Sequence, residues 1–265
     1  MTYQPVIPLS GYAGWRFLTN TLEKQKESYV QSPVIQRNAD YFRENIANVK
    51  TADDLVNDRR LLQVSLEAFG LGDDINSKAF IRTVLEEGTI DSDALANKLS
   101  DKRYAAMSKA FGFALGTPNT VMSDFADKIL ERYKDRSFEV AVGEVDNDMR
   151  MAMNLEPALE QITDMASTNN GQWYSIMGNT AVREVFEVAL GFPSSFAAID
   201  VDQQLEQFKD RAAATFGTDQ VVDFQSEETR EKLIRLYMVR SEIADFSAAS
   251  SGSIALTLLQ GSIYG

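Results

Sequence analysis

A chain of 265 residues with 44% hydrophobic and 25% charged residues has a globular composition, long enough to bury roughly 70–75% of its unfolded surface with no staple. Its 39 acidic against 26 basic residues give a formal net charge of −13, which repels a phosphate backbone and an anionic bilayer, so nucleic acid is not an expected partner. Cysteine and histidine are both absent, which excludes a disulfide, a thiolate nucleophile, an imidazole base and any Cys or His metal ligand.

No apolar run approaches the roughly 18 residues of a membrane-spanning helix; the longest strongly apolar piece is 254–259. The N-terminus MTYQPVIPLSGYAGWRF lacks the basic and continuously apolar regions of a Sec-type signal peptide. Lack of cysteine suits a cytoplasmic protein, and equally one threaded unfolded through an export channel.

In chain order, residues 1–10 carry two prolines and no period, predicting a flexible arm. Helical spacing then runs through 11–31 with Trp15, Leu18, Leu22 and Tyr29 inward. Ser32-Pro33 opens a helix to about Val49 with Ile35, Ala39, Phe42 and Ile46 inward. The stretch 51–71 organises the rest. Leu55, Leu62, Leu66 and Phe69 form one stripe, Leu61, Val64 and Ala68 a second on the opposite side, so a single central helix is expected, capped by Thr51 and Asp54. It ends in Ala68-Phe69-Gly70-Leu71, where glycine suits a left-handed stop with the next apolar residue folded back.

That ending recurs at Gly112 and Gly191 and in reduced form at Gly217. The first interval has the size of a helical-repeat unit, but the next is nearly double and the last much shorter, so a degenerate repeat and a plain helical stack both remain open.

Further helices are expected at 77–86, 91–99, 101–111 and 118–133, then a long pattern over 136–166 with weak points at Gly143 and Pro157. Ser167 to Gly171 reads as a loop, followed by a short aromatic piece with Trp173 and Tyr174. Helices at 180–190, at 201–216 capped by Asp200, and from Ser226 to about Phe246 complete the body, the last with Leu233, Leu236, Tyr237 and Ile243 inward. Residues 247–253 read as a small-residue hinge, and the uncharged 254–265 as a docked helix or a sticky tail. No period-two alternation competes, so the expected fold is all-α with no sheet: a multi-helix bundle or irregular helical-repeat array of about ten helices. The expected organisation is the arm 1–10 and one helical domain over 11–265, with a subdomain boundary, if any, near 157–171.

Candidate chemistry is sparse. Asp58-Arg59-Arg60 and Asp101-Lys102-Arg103, echoed by Asp210-Arg211, read either as an anion-binding arginine row or as arginines tied to neighbouring helix ends and carboxylates. Asp146-Asn147-Asp148, Asp200-Val201-Asp202 and Gly72-Asp73-Asp74 lack the continuation of an EF-hand and read as turns and caps. A di-iron bundle normally needs Glu-x-x-His, and no phosphate-binding glycine loop or nucleophile elbow is present. Tyr104, Met107 and Phe111 read as core. Met149, Met151 and Met153, two apart, spread around a helix and hint weakly at a partner-binding surface. No catalytic, cofactor-binding or metal residue is nominated, and no cofactor is expected.

The segments DDLVNDRRLLQVSLEAFGL (53–71), FIRTVLEEG (80–88) and LANKLSDKRYAAMSKAFGF (95–113) resemble an uncharacterised alphaproteobacterial family, domain-of-unknown-function family 1217. The resemblance spans nearly the whole chain and supplies no site residues. Members are often encoded among flagellar genes. It therefore implies a non-enzymatic protein that binds partners in flagellar assembly or structure, either cytoplasmic or exported without a cleaved signal. A cytoplasmic adaptor or export chaperone is the alternative, and an enzyme using carboxylates a distant third.

Overall fold

The computed structural model of the chain describes residues 3–99 and 101–263, with side chains described as far as residue 247. Among these residues the regular structure is thirteen α-helices and six short 3-10 helices, without a strand. The fold is all-α. By contact the chain divides into two units, Met1–Pro5 with Leu22–Ala141, and Val6–Thr21 with Val142–Gly265. Two of the three divisions fall inside helices α1 (Gly11–Val30) and α8 (Phe125–Val145), and the third, between Pro5 and Val6, lies in the non-helical stretch before α1. The stretch 157–171, where a boundary was expected, lies within the second unit.

Residues 3–10 form no helix, as their prolines predict, but they are anchored. In the first unit Pro5 is buried, and the Tyr3 ring meets Tyr29 edge-on while its hydroxyl donates to Gln25 at 3.5 Å. In the second unit the Ser10 hydroxyl donates to Glu242 at 2.9 Å.

The first unit also contains α2 (Pro33–Asn45), α3 (Ala52–Asn57), α4 (Arg59–Ala68), α5 (Lys78–Glu87), α6 (Leu95–Lys98) and α7 (Arg103–Phe111). The organising stretch is two helices, not one. Asp58 has an extended backbone and its carboxylate accepts from the Arg60 and Leu61 amides, so it ends α3 and caps α4. Aspartate is tolerated inside a helix but serves better as a cap, and apolar periodicity continues through the break and conceals it. The two-sided burial is real: Leu61, Leu62, Val64, Ser65, Leu66 and Ala68 are all buried on α4. Thr51 and Asp54 form the expected capping box.

The second unit contains α9 (Asn147–Met165), α10 (Asn169–Gly178), α11 (Thr180–Leu190), α12 (Val201–Phe216) and α13 (Glu227–Ile263). The long pattern over 136–166 breaks at Asp146, whose side chain accepts from the Asp148 and Met149 amides, and not at Pro157. Pro157 is exposed inside α9, so the loss is one donor on the solvent side. Trp173 organises the core, stacked on Phe208 and edge-on to Phe186 and Phe224. Its indole N–H donates to the Asp219 carbonyl at 2.8 Å.

The glycine endings fall into two classes. At Gly70 (φ 70°) the Leu71 amide donates to Leu66 O and the Gly70 amide to Glu67 O; Gly191 (φ 71°) repeats both bonds with Phe192, Glu187 and Val188. These are the paired bonds of a Schellman motif. Gly112 and Gly217 make the single bond of the simpler left-handed cap, to Ser108 O and Ala213 O.

Each unit holds the same local series. A threonine-capped helix (Thr51 or Thr168) leads to a helix capped by Asp58 or Asn179, then a Schellman glycine, a 3-10 turn (Gly72–Asn76 or Ser194–Ala198) and a further helix. The repeat therefore pairs Gly70 with Gly191, one in each unit, rather than Gly70 with Gly112.

Helix α13 buries Leu233, Ile234, Tyr237 and Met238 and then outruns its packing. The backbone stays helical through 247–253, where a hinge was expected, and at its start Ser247 Oγ donates to Ile243 O at 2.8 Å. Ile243, expected inward, is 60% exposed. The apolar spacing continues past Met238, but the elements that cover it do not. The side chains of 254–265, read as docked or sticky, lie outside the described residues.

Candidate functional site

The arginine row resolves into helix-end contacts. Arg103 Nη1 donates to Gly70 O at 2.5 Å, and its guanidinium makes a paired contact with Asp101 at 2.7–3.0 Å. Burial pushes the Asp101 carboxyl up, but the Arg103 bonds outweigh it and hold the group below the usual carboxylate range. Arg211 Nη1 donates to Leu190 O and Gly191 O at 3.1 and 2.8 Å, with its guanidinium 4.1 Å above the Phe192 ring. Arg240 Nη1 donates to Ala189 O at 2.6 Å. Lys232 Nζ does the same for Thr215 O at 2.6 Å. Each cation neutralises the negative end of a helix that a glycine has stopped, where the last carbonyls have no intrahelical donor. Arg60 differs, lying 4.5 Å above the Tyr41 ring, whose hydroxyl donates to Asp58 at 2.6 Å. These groups are occupied by the fold.

The acidic pairs are caps and turns. Asp146 and Asp200 each accept from backbone amides one turn into their helices, and Asp74 accepts from the Tyr104 hydroxyl at 2.6 Å. Burial, with Asp74 next, pushes the Tyr104 phenol up to about 12. Among the described residues no group of three or more His, Cys, Asp or Glu could hold a metal ion. Met107 and Phe111 are core; Met149 is buried, with Met151 and Met153 half-buried. The methionines offer no continuous face.

Among the described residues, each unit has a shallow cleft. In the first unit Lys26, Arg43, Asp127 and Asp135 line a cleft of about 350 Å³, but Lys26 pairs with Asp135 at 2.6 Å and Arg43 with Asp127 at 3.0 Å. In the second unit a cleft of about 320 Å³ is lined by Ser10, Asp146, Asp148, Glu242 and Asp245. Asp148 accepts from the Tyr237 hydroxyl at 2.8 Å and from Ser241, and Glu242 from Ser10. Burial, then Asp148, raises the Tyr237 pKa above the ordinary phenol value.

Exposed apolar side chains are scattered over both units, Ile90, Leu115, Met122 and Met165 among them, and three lie in sequence on the far part of α13. Val239, Ile243 and Phe246 are 41%, 60% and 76% exposed, and residues 242–247 are exposed on every side. The helix goes on to Ile263, and no charged residue follows Asp245. Upstream, Glu231 fastens α1 to α13, accepting from Tyr12 at 2.8 Å and Trp15 at 3.2 Å. Sequence reasoning missed the exposed stripe because its spacing equals that of a buried one.

Residues 68–229, more than half of the chain, match the family described as protein of unknown function DUF1217. The chain belongs to that family. Comparison with curated proteins finds no match. The crystal structure of an Agrobacterium tumefaciens protein, from a structural-genomics programme, is similar to this chain at 28% identity, with a TM-score of 0.71 over 91% of this chain and 99% of that one. Both the Gly70 and Gly191 stops fall within the DUF1217 match.

Proposed function

We propose that this DUF1217 chain is a non-enzymatic helical protein that binds protein partners in flagellar assembly or structure, with the far part of α13 as its contact. One observation carries the binding mode: α13 presents Ile243 and Phe246 to solvent on a helix that continues to Ile263 without a charge. Exposed apolar area of this kind favours association by roughly 25 cal/mol per Å² removed from water. The flagellar setting comes from the family resemblance alone. A cytoplasmic adaptor that shields a client is the second reading, favoured by the net charge of −13.

The test is to delete residues 247–265 and measure retention on purified, sheared flagellar filaments alongside helix content by circular dichroism. The expected result is weakened retention with the helicity of the remaining body preserved. Retention equal to that of the full chain would count against α13 as the contact.

A further inference from the structure

The exposed apolar stripe of α13 is acidic along one border only. At about 100° per residue, Glu242 and Asp245 follow Val239, Ile243 and Phe246 on the flank that carries Met238. The opposite flank carries Arg240, Ala244 and Ser247, and Arg240 is already bonded to Ala189 O at 2.6 Å. With Asp146 and Asp148 from the start of α9, Glu242 and Asp245 line the cleft of about 320 Å³ in this unit. The hydrogen-bond donors these carboxylates have are neutral: amides for Asp146, the Tyr237 and Ser241 hydroxyls for Asp148, and the Ser10 hydroxyl for Glu242. Among the described residues none of the four is ion-paired, while Arg16, Arg183 and Arg230 of the same unit are held by Glu231, Glu187 and Glu156. We propose that this face docks a basic amphipathic helix of another protein, its apolar seam over Val239, Ile243 and Phe246 and its lysines or arginines against the acidic border. This rests on the reading of α13 as a contact and names the chemistry of its partner.

The steps of four and then three residues from Val239 to Phe246 are those of a helix–helix seam, which spans about 10 Å, or two turns. A partner helix therefore fits it better than an extended strand. Charge selects the rest of the occupant. Among the described residues no three carboxylates converge well enough to hold a metal ion, so this negative charge is spread along the border and suits a row of flexible side-chain cations. Exposed apolar area supplies the attraction, and the carboxylates set which partner may approach and how it is turned. A second copy of this chain would bring the same carboxylates and a further net charge of −13 to the contact, which opposes pairing.

Binding is measured by fluorescence anisotropy of the full chain with a designed amphipathic helix of about 18 residues, leucine on one face and lysine beside it. A Kd of roughly 1–100 μM is expected, and roughly tenfold weaker binding by the same helix with glutamate for lysine. Phe246→Ser, at a site 76% exposed, should weaken the lysine helix with unchanged circular dichroism. Glu242→Gln with Asp245→Asn should weaken it and flatten its dependence on salt. Ile90→Ser, at an exposed apolar site in the first unit, should change nothing. Equal binding of the lysine and glutamate helices, or a loss with Ile90→Ser as large as with Phe246→Ser, would overturn the proposal. In cells, a photo-crosslinking residue in place of Phe246 captures the native partner, and mass spectrometry of the linked segment reads its chemistry. A basic amphipathic segment of another protein is expected; a segment of this chain, an acidic segment, or no link above that made from position 90 would each overturn the proposal. A basic segment from a protein outside the flagellum would leave this docking in place and sink the flagellar reading. Filament retention that needs residues 247–265, with an uncharged segment linked at 246, would sink the basic partner alone.

Discussion

Arg211 sits at a helix end where three contacts converge, the Leu190 and Gly191 carbonyls and the Phe192 ring. Its replacement by alanine should lower stability by about 1–2 kcal/mol, and lysine should restore only part, because one ammonium cannot both fork to two carbonyls and lie flat on a ring. Denaturant unfolding of the two variants measures this. Gly217→Ala and Gly191→Ala separate backbone strain from crowding. An added Cβ at Gly217 (φ 83°) meets nothing within 4 Å, so the cost should be the left-handed strain alone, about 1 kcal/mol. At Gly191 (φ 71°) it would lie 2.8 Å from Arg240 Nη1 and displace that group from Ala189 O, so thermal unfolding should show a larger loss. Glu67 titrates against the fold. Burial raises its pKa despite a bond from Gln63 at 2.8 Å, so its ionised form opposes folding above the folded-state value. Glu67→Gln should therefore stabilise the protein at pH 7 by about 0.5 kcal/mol. The advantage should vanish below about pH 4.5, where the carboxyl is protonated folded and unfolded alike; a pH-independent difference would contradict the burial argument.

At the scale of elements, two aspartates divide what periodicity reads as continuous helix. Asp58→Ala removes the cap of α4 and the acceptor of the Tyr41 hydroxyl together, and should cost about 2 kcal/mol by equilibrium unfolding. Asp58→Asn, which can still cap, should recover most of that. The helix class, the inward face of α2 and the bounds of α11 and α12 were legible in sequence because apolar spacing, caps and glycine stops agree there. Asp58 and Asp146 were not, because the stripe runs through them and only the folded backbone shows which aspartate leaves the helix. Ile243 was misread for the complementary reason: spacing reports a stripe, and whether anything covers it depends on the neighbours, here the start of α9 at Asp148 and the end of α11 at Ala189, which meet α13 at Tyr237, Arg240 and Ser241. The arginines were legible as a choice between two roles, and carbonyls from a distant helix decided it.

Over the whole molecule the same cap–helix–glycine series builds each of two units, and the chain spends its conspicuous arginines on holding those series together. The far part of α13 carries exposed apolar residues at helical spacing, Val239, Ile243 and Phe246. Its packed turns bury Leu233, Ile234, Tyr237 and Met238, so changes beyond Ser247 should leave the unfolding midpoint of the second unit nearly unchanged while altering association. A flagellar protein of this kind works outside the cytoplasm. The most direct measurement is its amount in culture medium and in sheared filaments, from motile cells and from cells whose flagellar export gate is disabled. Appearance outside the cell that depends on the gate is the predicted result; retention inside in both strains would contradict it and give the lead to the adaptor reading.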